Sequence, residues 1–233
     1  MKFEQQQIKQ FFDSWGLYKK FLQYNYMNHQ ELFAATHKLL LARTEKPLRF
    51  LDIGCGDAIY VINLLQEFDQ VNYTGIDLST TALQEAQQNF SHSKHTPELI
   101  AGDLVEVITE LDSHSFDVIL SSFCLHHYQL ADKHNIYRQI HQLLKPGGSF
   151  IMIDLWRQDN HQRSDYLSQT MNQFYEELIE FTPEEIAYTK QHIESADFPD
   201  TLDETRRTLV ASGFEHIIVP YQIKHFALFH SNR

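Results

Sequence analysis

The chain has 233 residues, of which 42% are hydrophobic, and this is enough apolar material for one full hydrophobic core. The formal net charge of −12 opposes binding to nucleic acid, which depends on clusters of Lys and Arg that the sequence lacks, and it favours a small-molecule partner. The two cysteines lie in apolar contexts, and the sequence shows no secretion signal and no apolar run near ~20 residues. These features predict a cytoplasmic protein without a membrane partner. The sequence does not define its oligomeric state.

An aromatic helical segment opens the chain. Side chains recur at three- and four-residue intervals, as on one face of a helix, at Phe11, Trp15, Tyr18, Leu22, Tyr26, His29 and Phe33. Such a face packs on a neighbouring domain in most proteins, and we expect this of its apolar members. Tyr18, Tyr26 and His29 carry polar atoms, so we predict that they reach a bound ligand.

The stretch RFLDIGCGDAIYV, residues 49–61, predicts a turn between a buried strand and a helix. Gly54 and Gly56 permit a positive φ or a close approach of the backbone, and the helix that begins near Ala58 directs unpaired N–H groups at the same space. A small ligand that bears an anionic or carboxylate group would fit there.

Strand and helix patterns then alternate. Apolar strand segments cover residues 48–53, 71–79, 98–104, 115–128 and 149–156, and helical patterns separate them. This order predicts a parallel sheet with helices on both faces and with its ligand beyond the carboxyl ends of the strands. A helix over 201–214 and two strands, 215–223 and 225–231, close the chain; the short gap between these strands allows only a hairpin.

Over roughly residues 45–231 the sequence resembles the class I S-adenosylmethionine-dependent methyltransferases. The resemblance is carried by five motifs in order, which are LDIGCGDA, GIDLS, AGDL, FDVILSSFCLHH and LLKPGGSFIMID. It implies a Rossmann-like, doubly wound α/β fold with seven mostly parallel strands and a C-terminal antiparallel hairpin strand. We predict one domain, with an N-terminal helical cap (1–44), a cofactor-binding core (45–156), a helical insertion that acts as a lid (157–200), and a last helix with the hairpin (201–233).

By resemblance, the cofactor is S-adenosyl-L-methionine, Asp77 accepts hydrogen bonds from its ribose and Asp103 meets its adenine amine. Asp77 could instead cap the following helix, where Ser79 is better placed, and Asp103 could be an ordinary turn residue. Asp52 is expected to brace the turn. The other predicted cofactor contacts are Gly54, Cys55, Gly56, Leu78, Leu104 and Ser121.

Two other nucleotide-binding motifs fit less well. A nicotinamide-binding turn would require glycine at Ile59, and a phosphate-binding loop would require a Gly-Lys-Ser/Thr ending that the sequence lacks. The one departure from the methyltransferase pattern is Ala58, which stands where the family often has a third glycine.

Methyl transfer needs an acceptor held in line with the methyl group, and a histidine is the natural base where the acceptor must lose a proton. His126 and His127, which follow the fourth strand, and His29 are the predicted catalytic residues, although the first two could equally serve the fold. No HExxH or clustered Cys/His spacing occurs, so no metal is predicted.

The sequence thus predicts methyl transfer to an O, N or S atom of a small molecule, with the acceptor between the cap and the insertion. Two alternatives stay open. One is a nucleoside- or tRNA-modifying enzyme that uses S-adenosylmethionine or a modified form of it, and the other is a non-catalytic protein that only binds the cofactor.

Overall fold

The computed structural model describes residues 15–43 and 46–233, so Phe11 lies outside the described residues. The helices in chain order are α1 (Trp15–Gln23), α2 (His29–Leu40), α3 (Ile59–Leu65), α4 (Thr80–Phe90), α5 (Leu104–Val107), α6 (Leu130–Leu143), α7 (Arg163–Asp165), α8 (Met171–Glu177), α9 (Pro183–Ala196) and α10 (Leu202–Ala211). A 3-10 turn covers Leu125–His127, and a π-helical turn covers Tyr166–Thr170.

The central sheet has the predicted Rossmann-like α/β architecture. Its strands are β1 (Leu48–Ile53), β2 (Val71–Asp77), β3 (Pro97–Ala101), β4 (Phe116–Ser122), β5 (Leu144–Arg157), β6 (Asp200–Thr201), β7 (Glu215–Ile223) and β8 (Phe226–Asn232). The order across the sheet is β3-β2-β1-β4-β5-β8-β7, and β6 pairs with the end of β5. The strands from β3 to β5 are parallel, so their carboxyl ends lie along one edge.

The closing hairpin is confirmed. β8 runs antiparallel to both β5 and β7, and it is the strand that breaks the parallel pattern among the described residues. Gly213 lies between α10 and β7. Its φ of +101° is a left-handed conformation that glycine adopts without strain.

Alternating side chains of the strands pack against helices on opposite faces of the sheet. On β4, Val118 and Leu120 face a core shared with the N-terminal helices and the insertion, while Ile119 faces a second core beneath α6 and α10. This alternation follows from the two-residue repeat of a strand, and it explains why the strands read as continuous apolar runs.

The aromatic segment at the N-terminus forms two helices rather than one. Asn25 and Asn28 adopt positive φ between α1 and α2, and Tyr26 lies in this break. None of the helices in the described ranges combines the length and the apolar character that a membrane span requires.

The insertion packs against the N-terminal helices. The ring of Phe21 lies 4.8 Å from that of Phe181 and stacks on Phe174 at 6.2 Å. Lys20 donates to the carboxylate of Glu185 at 2.7 Å. The two segments therefore pack against each other.

Candidate functional site

The turn after β1 has the positive φ angles that its glycines permit. Gly54 and Gly56 adopt φ of +69° and +53°, and Ala58, the residue before α3, adopts φ of +56°. Glycine reaches this region freely, whereas alanine does so against a steric penalty. The position of Ala58 therefore explains why a third glycine suits this motif.

A close contact with a neighbouring side chain also requires glycine, rather than a larger residue, at position 54. A Cβ atom at this position would lie 2.6 Å from both Cβ and Sγ of Cys124, which follows β4. The turn thus packs directly against the end of a neighbouring strand. This brings the glycine turn and the segment that contains His126 and His127 to one site.

Asp77, at the end of β2, holds the glycine turn in place. Its Oδ2 accepts the backbone N–H of Gly56 at 2.9 Å, and its Oδ1 accepts the backbone N–H of Ser79 at 2.8 Å. The N-cap of α4 is Ser79, whose Oγ accepts from the N–H of Ala82. Asp77 is thus not the cap, and its half-buried carboxylate lies at the cleft.

Asp103, which the sequence predicts to be either a cofactor contact or an ordinary turn residue, has a structural role in the fold. It caps α5, because its side chain accepts the N–H of Val105 at 3.1 Å. Tyr128, which the sequence analysis did not single out, donates to the same carboxylate from across the cleft at 3.5 Å. Asp103 therefore lies beside the cleft, joined to one of its walls.

A cleft with an empty volume of about 700 Å³ runs along the strand ends, and we call it the glycine cleft. This volume includes space that is open to solvent. The residues that line it are Tyr18, Gly54, Gly56, Ile76, Asp77, Leu78, Ala82, Gly102, Leu104, Ser122, Phe123, Cys124, His127 and Tyr128. Leu78 and Leu104, two of the predicted cofactor contacts, are both among them.

A second cavity adjoins the glycine cleft, and we call it the aromatic cavity. Its wall comes from the N-terminal helices, the end of β4, the insertion and the β7–β8 hairpin. The lining residues are Tyr18, Phe21, Met27, Phe123, His126, His127, Leu155, Met171, Phe174, Thr189, His192, Ile193, Asp197, His225 and Phe226. This is the predicted location for an acceptor.

Three residues, Tyr18, Phe123 and His127, line both the glycine cleft and the aromatic cavity. Phe123 adopts φ of +51°, a conformation that a bulky residue rarely takes and that is over-represented at functional sites. The junction of the two spaces is therefore formed by two aromatic rings and one imidazole.

The two adjacent histidines make different contacts. Nδ1 of His126 lies 2.5 Å from Oδ1 of Asp154, whose Oδ2 accepts the backbone N–H of His126. Nδ1 of His127 lies 3.1 Å from the carbonyl oxygen of Ala196. Because a carbonyl only accepts, this bond places the proton of a neutral His127 ring on Nδ1 and the lone pair on Nε2.

The electrostatics of the two rings differ as well. Burial alone would lower the pKa of His126, but the carboxylates of Asp154 and Asp197 outweigh it and raise the pKa. Burial lowers the pKa of His127, and the neighbouring His126 lowers it further. Of the two adjacent rings, His126 is therefore the more basic and His127 the less basic.

His29 lies at a third cavity on the other side of the glycine turn. Its ring is buried between Tyr60, at 5.1 Å, and Phe123, at 4.5 Å. Burial lowers the pKa of His29 to about 3. A base this weak is poorly suited to take a proton from an acceptor near neutral pH.

Five of the predicted cofactor contacts, Asp103 among them, line neither main cavity. Asp52 is fully buried and accepts the hydroxyl of Tyr73 at 2.9 Å instead of bracing the turn. Ser121 is also buried, and its neighbour Ser122 faces the cleft. The hydroxyl of Tyr26 accepts the backbone N–H of Glu180, so Tyr26 joins the N-terminal helices to the insertion. Cys55 is buried and lines the third cavity only.

A family model described as a methyltransferase domain matches residues 50–148. Demethylmenaquinone methyltransferase of Listeria monocytogenes is 27% identical over 144 residues, which are 58% of this chain. The match covers 59% of that relative, so the chain spans about three fifths of its length. Carboxy-S-adenosyl-L-methionine synthase of Shewanella pealeana is 25% identical over 185 residues, which are 77% of this chain and 73% of that protein.

Solved structures share the fold. Phosphoethanolamine N-methyltransferase 2 of Haemonchus contortus, in complex with S-adenosyl-L-methionine, superposes with a TM-score of 0.58 at 21% identity over 79% of this chain and 37% of that one. The CMeT domain of the citrinin polyketide synthase superposes with a TM-score of 0.57 at 16% identity over 79% of this chain and 46% of that one.

Proposed function

We propose that this chain transfers the methyl group of S-adenosylmethionine to an O, N or S atom of a small molecule. It does so as a member of the class I S-adenosylmethionine-dependent methyltransferases. The observation that carries the proposal is the junction at which the glycine cleft opens into the aromatic cavity. One space has the features of a cofactor site, and the other is walled largely by the N-terminal helices and the insertion.

The residues present fit S-adenosylmethionine. The turn at Gly54 and Gly56 leaves room that a side chain would fill, and the carboxylate of Asp77 lies at the end of β2, where ribose hydroxyls are bound in folds of this type. Leu78 and Leu104 supply apolar surface for the adenine ring. Asp103, already engaged as a cap and with Tyr128, is a weaker candidate for adenine recognition than the sequence predicts.

When bound, the cofactor supplies a methyl group already activated on a sulfonium. The protein's task is to orient the acceptor and to exclude water. The faces of Tyr18 and Phe123 at the junction favour a cationic centre by about 0.5–2 kcal/mol each. His127 lines both spaces, so it is the predicted catalytic histidine best placed to contact the acceptor atom.

The acceptor proposed for the aromatic cavity is a small, largely apolar molecule with one polar end. Aromatic rings from the N-terminal helices, the insertion and the hairpin cover most of the wall. Polar atoms gather on one side, where His127, His192 and Asp197 lie. The acceptor atom is therefore proposed to face this side and the junction.

The alternative suggested by the Shewanella relative finds less support. That relative's name denotes a carboxylated cofactor as product, and a site that handles a carboxylate is expected to present a cation to it. No Lys or Arg occurs among the described residues that line either cavity, and the aromatic cavity instead contains Asp197. A non-catalytic binding protein is disfavoured because His127 reaches the junction.

Calorimetry with S-adenosylmethionine and its demethylated product tests the proposal first. We expect micromolar dissociation constants, roughly −7 to −9 kcal/mol. A screen of metabolite pools with methyl-labelled cofactor then identifies the acceptor, with His127→Ala as the variant expected to bind cofactor but to lose transfer. Absence of heat with either ligand, together with tight binding of a nicotinamide dinucleotide, would overturn the proposal.

A further inference from the structure

Beside the aromatic cavity, three histidines surround one carboxylate oxygen. Oδ1 of Asp197 lies 3.3 Å from Nδ1 of His127, 3.7 Å from Nε2 of His126 and 3.9 Å from Nε2 of His192. All four side chains are less than a tenth exposed. Asp197 and His192 come from the insertion, and the other two residues follow β4, so the cluster joins the lid to the core.

The hydrogen bonding of Asp197 leaves Oδ1 unexplained. Within the described part of the chain, none of the three ring nitrogens around this buried oxygen forms a well-aligned hydrogen bond with it, and the 3.3 Å contact with Nδ1 of His127 comes nearest to one. A buried carboxylate oxygen left in this state is destabilising. Nδ1 of His127, the nearest nitrogen, is engaged with the carbonyl of Ala196.

The spacing is close to that of groups around a metal ion. Ligand atoms held at ~2.0–2.1 Å from a tetrahedral ion lie about 3.3 Å from one another. Nε2 of His126 and Nε2 of His192 lie 3.7 and 3.9 Å from Oδ1 of Asp197, somewhat more than this value. Because Nδ1 of His127 is bonded to the carbonyl of Ala196, Nε2 is the atom that His127 would offer to an ion. His126, His127 and Asp197 can each offer one atom such that all three atoms lie within 4.8 Å of one another.

The surroundings of His126 and His127 are those of metal-binding imidazoles. A histidine that binds a metal through one nitrogen usually donates its other ring N–H to a carboxylate or a backbone carbonyl. Asp154 supplies the carboxylate for His126, and Ala196 supplies the carbonyl for His127. The Asp154 contact directs Nε2 of His126 toward Asp197.

The charge balance favours a dication. Asp154 and Asp197 place two carboxylates in a buried cluster, and the nearby Lys133 is bonded to Asp200 at 2.7 Å. A proton on His126 would balance one of these carboxylates, whereas a divalent ion would balance both. The rival explanation is therefore an imidazolium between two carboxylates, with no ion.

We propose that His126, His127 and Asp197, with His192 as a fourth ligand, bind a divalent transition-metal ion of the zinc, cobalt or nickel class. Several imidazoles select such ions over magnesium or calcium, which prefer oxygen ligands. The sequence predicts no metal because the two halves of the site are far apart along the chain.

The site lies at the polar side of the aromatic cavity, and this part of the inference rests on the proposed function. An acceptor with a hydroxyl, thiol or carbonyl group would bind the ion as a fifth ligand, or would displace His192, the ligand nitrogen farthest from Asp197. Coordination would lower the pKa of a hydroxyl or thiol and fix its direction toward the junction.

The test uses the full chain without an affinity tag, stripped of metal with a chelator. We expect titration with cobalt(II) or zinc, with no cofactor present, to show one ion per chain, and the cobalt form to absorb in the visible range as nitrogen- and oxygen-ligated cobalt does. Asp197→Asn is expected to weaken binding more than about 100-fold, and Asp154→Asn by about 10–100-fold. His92→Ala, at an exposed position, is the matched control and is expected to bind the ion normally.

No stoichiometric ion in the wild-type chain would overturn the proposal and support the imidazolium explanation, and this result does not depend on any variant folding. Undiminished binding by a folded Asp197→Asn chain would also overturn it. Cofactor calorimetry on the same sample separates the two proposals. A chain that binds S-adenosylmethionine but no ion contradicts the metal site alone.

Discussion

The carboxylate of Asp77 is bonded to the backbone N–H of Gly56, 2.9 Å away, so the residue predicted to bind the cofactor also fixes the turn that surrounds it. Asp77→Asn leaves one oxygen to serve two backbone donors. We expect a loss of about 1.5–3 kcal/mol in binding of S-adenosylmethionine, measured by calorimetry. Ser79→Ala is the control, since it removes the cap of α4 and lowers stability by ~0.5–2 kcal/mol but leaves affinity unchanged. Equal losses of affinity in the two variants would contradict the assignment.

Gly54→Ala is expected to destabilise the fold by about 1–3 kcal/mol and to weaken cofactor binding, because the new Cβ meets Cys124 and the backbone has a positive φ. Gly147→Ala separates the two causes. Gly147 has a similar φ of +77° but nothing within 4 Å of its Cβ position, so only the conformational penalty, ~1 kcal/mol, applies. Denaturant unfolding measures both variants, and equal destabilisation would show that the Cys124 contact is unimportant.

Asp52→Asn tests the buried pair with Tyr73. Burial raises the pKa of Asp52 to about 7, above its ordinary 3.8, so the native state binds the extra proton between these values. The stability contributed by this carboxyl is therefore present below pH 3.8 and is lost as the pH rises through 7. As the pH rises from 4 to 7, we expect the free energy of unfolding of Asp52→Asn to increase relative to that of the wild type by up to about 1.4 kcal/mol per pH unit. Asp69→Asn, at an exposed position, is the control, and its free energy of unfolding is expected to depend on pH as that of the wild type does. If the free energy of unfolding of Asp52→Asn also depends on pH as the wild type's does, the buried carboxyl does not have the role described.

His29 predicts the opposite dependence on pH. Its native pKa of about 3 lies below the ordinary 6.5, so the unfolded chain binds the extra proton and stability is lost as the pH falls from 6.5 toward 3. His29→Phe keeps an aromatic ring and removes this proton. We expect it to lose less stability than the wild type between pH 7 and pH 5, by up to about 1.4 kcal/mol per pH unit, in chemical unfolding experiments. An unchanged slope would show that the ring of His29 is open to water.

Tyr18 lines the glycine cleft, the aromatic cavity and the third cavity. Tyr18→Ala removes a ring face from the proposed sulfonium position, and we expect about tenfold weaker cofactor binding, whereas Tyr18→Phe keeps most of the affinity. Tyr24→Ala is the control, because Tyr24 is 42% exposed. If Tyr18→Phe binds as weakly as Tyr18→Ala, the hydroxyl is the important group and the ring is not.

The parallel arrangement of the strands, the closing hairpin and the location of the two cavities follow from local patterns. Apolar runs that end in Gly54, Asp77 and Asp103 mark the carboxyl ends of strands, and parallel strands bring such ends together. A short gap between two apolar runs near the C-terminus leaves room only for a hairpin. These features depend on neighbouring residues, so the sequence displays them directly.

The remaining features depend on details that periodicity does not resolve. Ser121 and Ser122 are adjacent on β4, and a shift of one residue decides which of them faces the cleft. Tyr18 and Tyr26 share a helical pattern, but the positive φ of Asn25 and Asn28 breaks the helix between them.

Long-range contacts are the other source of error. Asp197 is far from His126 along the chain, and only the folded insertion brings them together. Tyr128 and Phe123 follow β4 as the histidines do, and their position beyond a strand end was the available signal.

The insertion begins and ends at neighbouring backbone positions, because Trp156 pairs with Asp200 and Arg157 pairs with Thr201. Its ends are therefore fixed by the sheet, whatever lies between them, and doubling the length of a closed loop adds only about 0.6 kcal/mol of closure entropy. A change in the length or sequence of residues 158–199 is therefore expected to alter the wall of the aromatic cavity, including His192 and Asp197, and to leave in place the sheet edge that holds Gly54 and Asp77.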